Sequence, residues 1–114
     1  MRVERFEDII AWQKAKELTL NMYRVFGGHK DFGFRDQVQR ASVSIMNNIA
    51  EGFERRTHNE LRSFLFIAKG SCGEVRSMLI LALDLKYVSQ EEFQNNYDLT
   101  IEISKLLAGF IKTL

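Results

Sequence analysis

The residue types that most often carry catalysis or bind metals are scarce in this chain. Its 114 residues contain one cysteine, Cys72, and two histidines, His29 and His58. Carboxylate-bridged metal sites in helical bundles use a glutamate followed by a histidine three residues on, and no glutamate here has that neighbour. Cys72 has no second ligand at the short spacing of a zinc site. We therefore expect no metal, no cofactor and no enzymatic activity.

Nucleophilic catalysis is not indicated either. Cys72 lies on the apolar side of a helical pattern, where a small buried side chain is the simpler interpretation. His29 follows two glycines and His58 falls at the start of a helical pattern, and the sequence places no carboxylate to orient either ring. The segment 70–73 lies within a helical pattern with no strand before it, unlike a phosphate-binding loop.

A file of basic residues is the remaining candidate for chemistry. Arg62, Lys69 and Arg76 follow one another at intervals of seven, about two helical turns, and therefore lie nearly in line on one helix. Arg55 and Arg56 precede them near the beginning of that helix. We interpret the five as candidate contacts to the phosphates of a nucleic acid. The alternative is a solvated charged face, or ion pairs between subunits.

Composition bounds the class of protein. Sixteen basic and fifteen acidic residues give a net charge of +1, so the chain lacks the strong basic excess of a typical nucleic-acid-binding domain. A single cysteine fits a reducing compartment, and the amino terminus has no apolar core of the signal-peptide kind. The longest apolar run, residues 78–83, is too short to cross a membrane. We expect a cytoplasmic protein without a membrane partner.

Four helical segments must position these residues. Apolar residues recur at steps of three and four along most of the chain, and there is no proline to break a helix. The segments are approximately residues 8–26, 34–55, 57–87 and 89–114. No strand pattern competes with them.

Local signals predict where the helices begin and end. Gly27–Gly28 predicts the end of the first helix, with a glycine in the left-handed conformation. Thr57–Glu60 and Ser89–Glu92 are capping boxes, and Val88 with Phe93 forms a hydrophobic staple around the second. The connections are short, so neighbouring helices run antiparallel. We therefore predict an all-α fold, an antiparallel up-and-down four-helix bundle, formed by residues 1–114 as one domain.

The third and fourth segments carry more apolar residues than one buried stripe needs. The surplus residues are Ile67, Ile80, Leu81, Leu83, Leu106 and Phe110. A small bundle has little interior left for them, so we expect a homo-oligomer. Gly70 and Gly73, inside the third helix, predict close helix packing or a slight bend.

Several blocks of the sequence are similar to a known family. The blocks are Phe6 with residues 12–15, then residues 37–45, 48–53 and 64–71, and finally Glu74. Together they resemble the bacterial four-helix-bundle family of 23S rRNA intervening-sequence proteins over nearly the whole chain. Met46 stands where many members carry proline. The resemblance implies an up-and-down bundle, often assembled as a ring-like homopentamer.

The resemblance also implies partners. Relatives of this family are accessory proteins of diversity-generating retroelements, where they associate with a reverse transcriptase and bind nucleic acid. The family name records the location of genes within rRNA insertions and not an activity. Our leading hypothesis is a non-enzymatic, oligomeric helical protein that binds RNA or DNA through the basic file. The alternative is a protein-interaction scaffold or accessory subunit that does not contact nucleic acid.

The family's motif positions fall on the second and third helices. Carried over residue by residue, they are Gln37, Arg40, Ser44, Asn48, Glu51, Ser71 and Glu74. We interpret them as a polar seam within or between subunits. In that interpretation Arg40 is the partner of Glu51 or Glu74.

Overall fold

Residues 3–114 are described by a computed structural model in which four helices pack side by side. The elements are a short 3-10 turn at Phe6–Asp8, α1 (Ile10–Phe26), α2 (Phe32–Phe53), α3 (His58–Asp84) and α4 (Gln90–Lys112). α1 and α3 each pack against both α2 and α4. The predicted all-α four-helix bundle is confirmed, and no strand forms between residues 3 and 114.

The apolar stripe of every helix faces a shared core. The largest fully buried apolar side chains are Leu18, Met22, Phe26, Val38, Ile45, Ile49, Leu65, Val75, Leu79, Ile103 and Leu107. Burying one such side chain stabilises the fold by about 1.5–3 kcal/mol, so these stripes provide the main driving force for the bundle.

The beginnings of α3 and α4 follow their capping signals. Thr57 Oγ1 accepts the backbone N–H of Glu60 at 3.1 Å. The Glu60 carboxylate accepts the N–H of Arg56 at 3.1 Å instead of that of Thr57, so the first predicted box is only half formed. The second forms completely, because Ser89 and Glu92 each accept the other's backbone N–H at 3.0 Å.

α1 and α2 begin at residues that differ from the predicted ones. Ile9 is extended (φ −74°, ψ 122°), and its N–H donates to the Phe6 carbonyl at 2.9 Å, which separates the 3-10 turn from α1. α1 therefore begins at Ile10. α2 begins early, at Phe32, because the carboxylate of Asp31 caps it by accepting the N–H of Phe34.

α3 ends before the predicted Tyr87, in a Schellman motif. The N–H of Lys86 donates to the Leu83 carbonyl at 3.0 Å, and that of Tyr87 donates to the Ala82 carbonyl at 2.8 Å. Lys86 has φ 61°, a conformation that glycine usually adopts. At the end of α1 the opposite occurs: the helix stops at the glycine pair, but Gly27 stays right-handed at φ −55°, so the predicted left-handed glycine is wrong.

Gly52 marks a close approach of α2 to α3. A Cβ atom at this position would lie 2.6 Å from Cβ of Phe64 and 3.1 Å from Cδ1 of Leu61. The glycines predicted to lie at close helix packing, Gly70 and Gly73, have no atom within 4 Å of the corresponding point apart from the adjoining backbone of α3 itself. That prediction is wrong for packing within the chain, because this side of α3 faces outward.

We expect Gly52→Ala to lower the free energy of unfolding by about 1–3 kcal/mol, because the added methyl group overlaps Phe64. Gly109→Ala is the matched control: Gly109 is an exposed helical glycine with open space around it. This control should raise the stability by up to about 1 kcal/mol. Urea unfolding followed by circular dichroism measures both, and equal effects would contradict the assigned contact.

Candidate functional site

A polar seam runs between α2 and α3. The hydroxyl oxygens of Ser44 and Ser71 lie 2.9 Å apart. Asn48 Nδ2 donates to Ser44 Oγ at 3.0 Å and to the Ser44 carbonyl at 2.8 Å. Further along, Gln37 Nε2 donates to Glu74 Oε2 at 3.3 Å. The fold thus brings these five of the predicted seam residues together.

Arg40 and Glu51 do not join this seam as predicted. Glu51 forms an ion pair at 2.6 Å with Arg55, one turn along α2. Arg40 precedes Glu51 by eleven residues on the same helix, about 16 Å along its axis, so the two cannot meet. The carboxylate of Glu74 is bonded to Gln37. The predicted pairing of Arg40 is therefore wrong within one chain, and Arg40 lines an open groove of about 680 Å³ between α2 and α3.

Two of the five predicted phosphate contacts, Arg55 and Arg62, instead bond to other groups of their own chain. Arg55 pairs with Glu51, and its guanidinium lies 4.9 Å from the ring centroid of Phe64. Arg62 donates to the backbone carbonyl of Leu114 at 2.5 Å and so holds the end of α4 against α3. These contacts leave both guanidinium groups with fewer donors for phosphate oxygens.

The other three predicted contacts have no acidic partner within 4 Å in the part of the chain that the structure describes. Arg56 is exposed in the connection between α2 and α3, while Lys69 and Arg76 are half-buried on α3. The predicted file of five cations is therefore reduced to three that are available for an external ligand.

Cys72 is a buried and unreactive thiol. Its Sγ donates to the carbonyl of Thr100 at 3.2 Å. Burial raises the pKa of the thiol to about 11, although the charges of Arg76 and Lys69 oppose the rise. Because the thiolate is the nucleophile, Cys72 is protonated and inert at neutral pH.

No group of three or more His, Cys, Asp or Glu side chains between residues 3 and 114 is arranged to hold a metal ion. Over the same residues, no helix combines the length and the apolar character needed to cross a bilayer.

A group of contacts between the α1–α2 connection and the α3–α4 connection was not predicted from the sequence. The hydroxyl of Tyr87 donates to Asp31 Oδ2 at 2.7 Å, while Asp31 Oδ1 caps Phe34. The centroid of the His29 ring lies 4.1 Å from that of Tyr87, with the two rings tilted by 51°, and His29 Nδ1 accepts the Asp31 N–H. The Tyr87 hydroxyl lowers the pKa of Asp31, and the same bond raises the pKa of Tyr87. The position of Asp31 three residues before Phe34 was a capping signal that could have revealed half of this arrangement.

The outer surface of α3 is apolar and exposed. Its large residues each leave 47–56 % of their surface accessible: Phe66, Ile67, Ile80, Leu81 and Leu85. Gly70, Gly73 and Ser77 lie between them, and we refer to residues 66, 67, 70, 73, 77, 80 and 81 as the α3 face. Of the surplus apolar residues, Leu83, Leu106 and Phe110 instead pack partly against the chain's own core.

The fold and the seam define an all-α four-helix-bundle protein whose second and third helices are joined by polar side chains. The sequence profile of the 23S rRNA-intervening sequence protein family matches residues 7–109, and the chain belongs to this family. The resemblance seen in the sequence is therefore confirmed.

A solved structure supports the same fold. It is the crystal structure of a protein of unknown function from the S23 ribosomal protein family of Bacteroides thetaiotaomicron. The two chains superpose with a TM-score of 0.85 and 25 % sequence identity, over 90 % of this chain and 99 % of the other. No curated protein sequence matches the chain.

We expect Ser44→Ala and Ser71→Ala each to lower the free energy of unfolding by about 1 kcal/mol, because each removes one side of a partly buried hydrogen bond. The double variant should lose less than the sum of the two, with a coupling of at least about 0.5 kcal/mol. Ser44→Ala combined with Ser63→Ala, which shares no partner with it, is the additive control. Additivity in both pairs would show that the seam bond does not stabilise the fold.

Proposed function

We propose that this chain is a non-enzymatic subunit of a homo-oligomer, and that it acts as a self-assembling helical scaffold. The α3 face carries the proposal, because its large apolar residues are half exposed on a helix that is otherwise well packed. Exposed apolar surface of this extent, bordered by polar residues, is typical of a protein-interaction site. The family resemblance supports a homopentamer as the assembly.

The glycines of the α3 face support the same proposal. Glycine inside a helix costs up to about 1 kcal/mol relative to alanine. Gly52 has a packing reason for that cost, but no atom of another helix lies within 4 Å of the Cβ positions of Gly70 and Gly73 among residues 3–114. A partner helix that approaches the backbone of α3 closely would provide the reason.

We expect the wild-type chain to self-associate, so that its mass in solution is at least twice that of its 13.3 kDa subunit. Ile80→Glu should reduce the mass to that of one subunit, because a carboxylate in the middle of an apolar contact is strongly disfavoured. Light scattering after gel filtration measures the mass, and circular dichroism verifies the helix content.

Asn95→Glu is the matched control for this experiment. Asn95 is exposed on α4, a helix with no exposed large apolar residue among those that the structure describes. The control should keep the wild-type mass. A monomeric wild type, or an Ile80→Glu variant that stays assembled, would contradict the proposed function.

Nucleic-acid binding is the second candidate function. It is supported by three cations of the predicted file, Arg56, Lys69 and Arg76, whose side chains have no acidic partner within 4 Å among residues 3–114. The partners that the family resemblance implies support it as well. Repetition of these cations around an oligomer would strengthen a weak local charge. The chain's net charge of +1 gives no further support.

We expect binding of a structured RNA hairpin to weaken steeply between 50 and 200 mM salt if phosphates are contacted, as fluorescence anisotropy would show. Arg56→Ala should lower the slope of log K against log salt by about 1. Arg55→Ala is the control and should change it less, because Arg55 is already paired with Glu51. Absence of binding at low salt, or binding indifferent to salt, would exclude this second function.

A further inference from the structure

We infer that the copies assemble head to tail, with the α3 face of one copy docked on the outer face of α1 of the next. The inference rests on the proposed self-association and names its second surface. α1 also exposes large apolar residues, with 49–53 % of their surface accessible: Ile10, Leu20 and Tyr23. Ile10, Gln13, Glu17 and Leu20 follow at steps of three or four and form one stripe, which we call the α1 face.

The positions of the two faces favour two unlike surfaces in contact. α1 and α3 lie diagonally across the bundle, because each packs against α2 and α4 and not against the other. Apart from Phe32, every exposed large apolar residue between 3 and 114 lies on α1 or on α3 through its C-cap. A twofold contact uses one patch twice, whereas a head-to-tail contact needs two different patches on one molecule.

The shapes of the two faces are complementary. The α3 face has bulky residues at its ends, Phe66 and Ile80, and open space at Gly70 and Gly73 between them. The α1 face instead carries long side chains, Gln13 and Glu17, between its apolar ends. Its span from Ile10 to Leu20 is about 15 Å, and that from Phe66 to Ile80 about 21 Å, so one helix can lie along the other.

The charges of the two faces are also complementary. Glu17 is exposed on the α1 face, with no cation within 4 Å among residues 3–114. Its neighbour Lys14 is paired with Glu102, and the Lys16 ammonium lies over the Trp12 ring. Lys69 and Arg76 precede Gly70 and Ser77 on α3 and border the α3 face. In the docked pair these two cations face Glu17 of the next copy, which removes them from phosphate binding.

Two single-face variants of the full chain test the arrangement. Leu20→Glu disables the α1 face and leaves the α3 face intact, whereas Ile80→Glu does the reverse. Each variant alone should have the mass of one subunit by light scattering. Mixed in equal amounts, they should form a one-to-one dimer and nothing larger, because each contributes one working face and one blocked face.

The outcomes separate this inference from the proposed function. A Leu20→Glu variant that keeps the wild-type mass overturns the head-to-tail contact while self-association through α3 stands. Two monomeric variants that fail to dimerise on mixing also overturn it. A monomeric wild type refutes the proposed function itself. Ile10→Glu repeats the test of the α1 face if circular dichroism shows that Leu20→Glu has lost helix content.

Discussion

The close contact of α2 with α3 is the constraint on which the rest of the bundle depends. At Gly52 the two helices leave no room for a methyl group, and at Ser44 and Ser71 two hydroxyl groups meet at hydrogen-bond distance. Polar groups can be buried there only because they bond to one another. In residues 3–114 every buried side-chain nitrogen or oxygen has a partner, so the seam is satisfied without any external group.

This contact determines which side of α3 is left uncovered. The 27-residue helix packs one side on α2 and another on α4, and a helix presents only part of its circumference to two neighbours. The α3 face lies away from both, so its apolar residues cannot reach the core of their own chain. Their exposure is therefore a consequence of the bundle geometry, and the proposed self-association would remove these apolar residues from water.

Some of the charged residues are used for contacts within the chain. Arg55 is paired with Glu51 along α2, Arg62 donates to the Leu114 carbonyl, and Lys14 pairs with Glu102 on α4. Surface pairs of this kind contribute little stability, but they reduce what remains for an external partner. Membership of the family supports the fold but assigns no activity, since the similar solved protein is itself of unknown function. The function must therefore be argued from surfaces, and here the apolar ones are better defined than the basic ones.

The sequence by itself determined the features that depend on residues within a few positions of each other. These include the four apolar stripes, the Ser89–Glu92 capping box and the end of α1, because helix periodicity and caps are local. Family motifs identified five of the residues that form the seam, but not which of them bond to each other. Gly52 and Gly70 look alike in the sequence, and only the packing of one helix on another separates a contact from an open surface. The bond between Asp31 and Tyr87 joins residues 56 apart, a distance over which no local pattern specifies a contact.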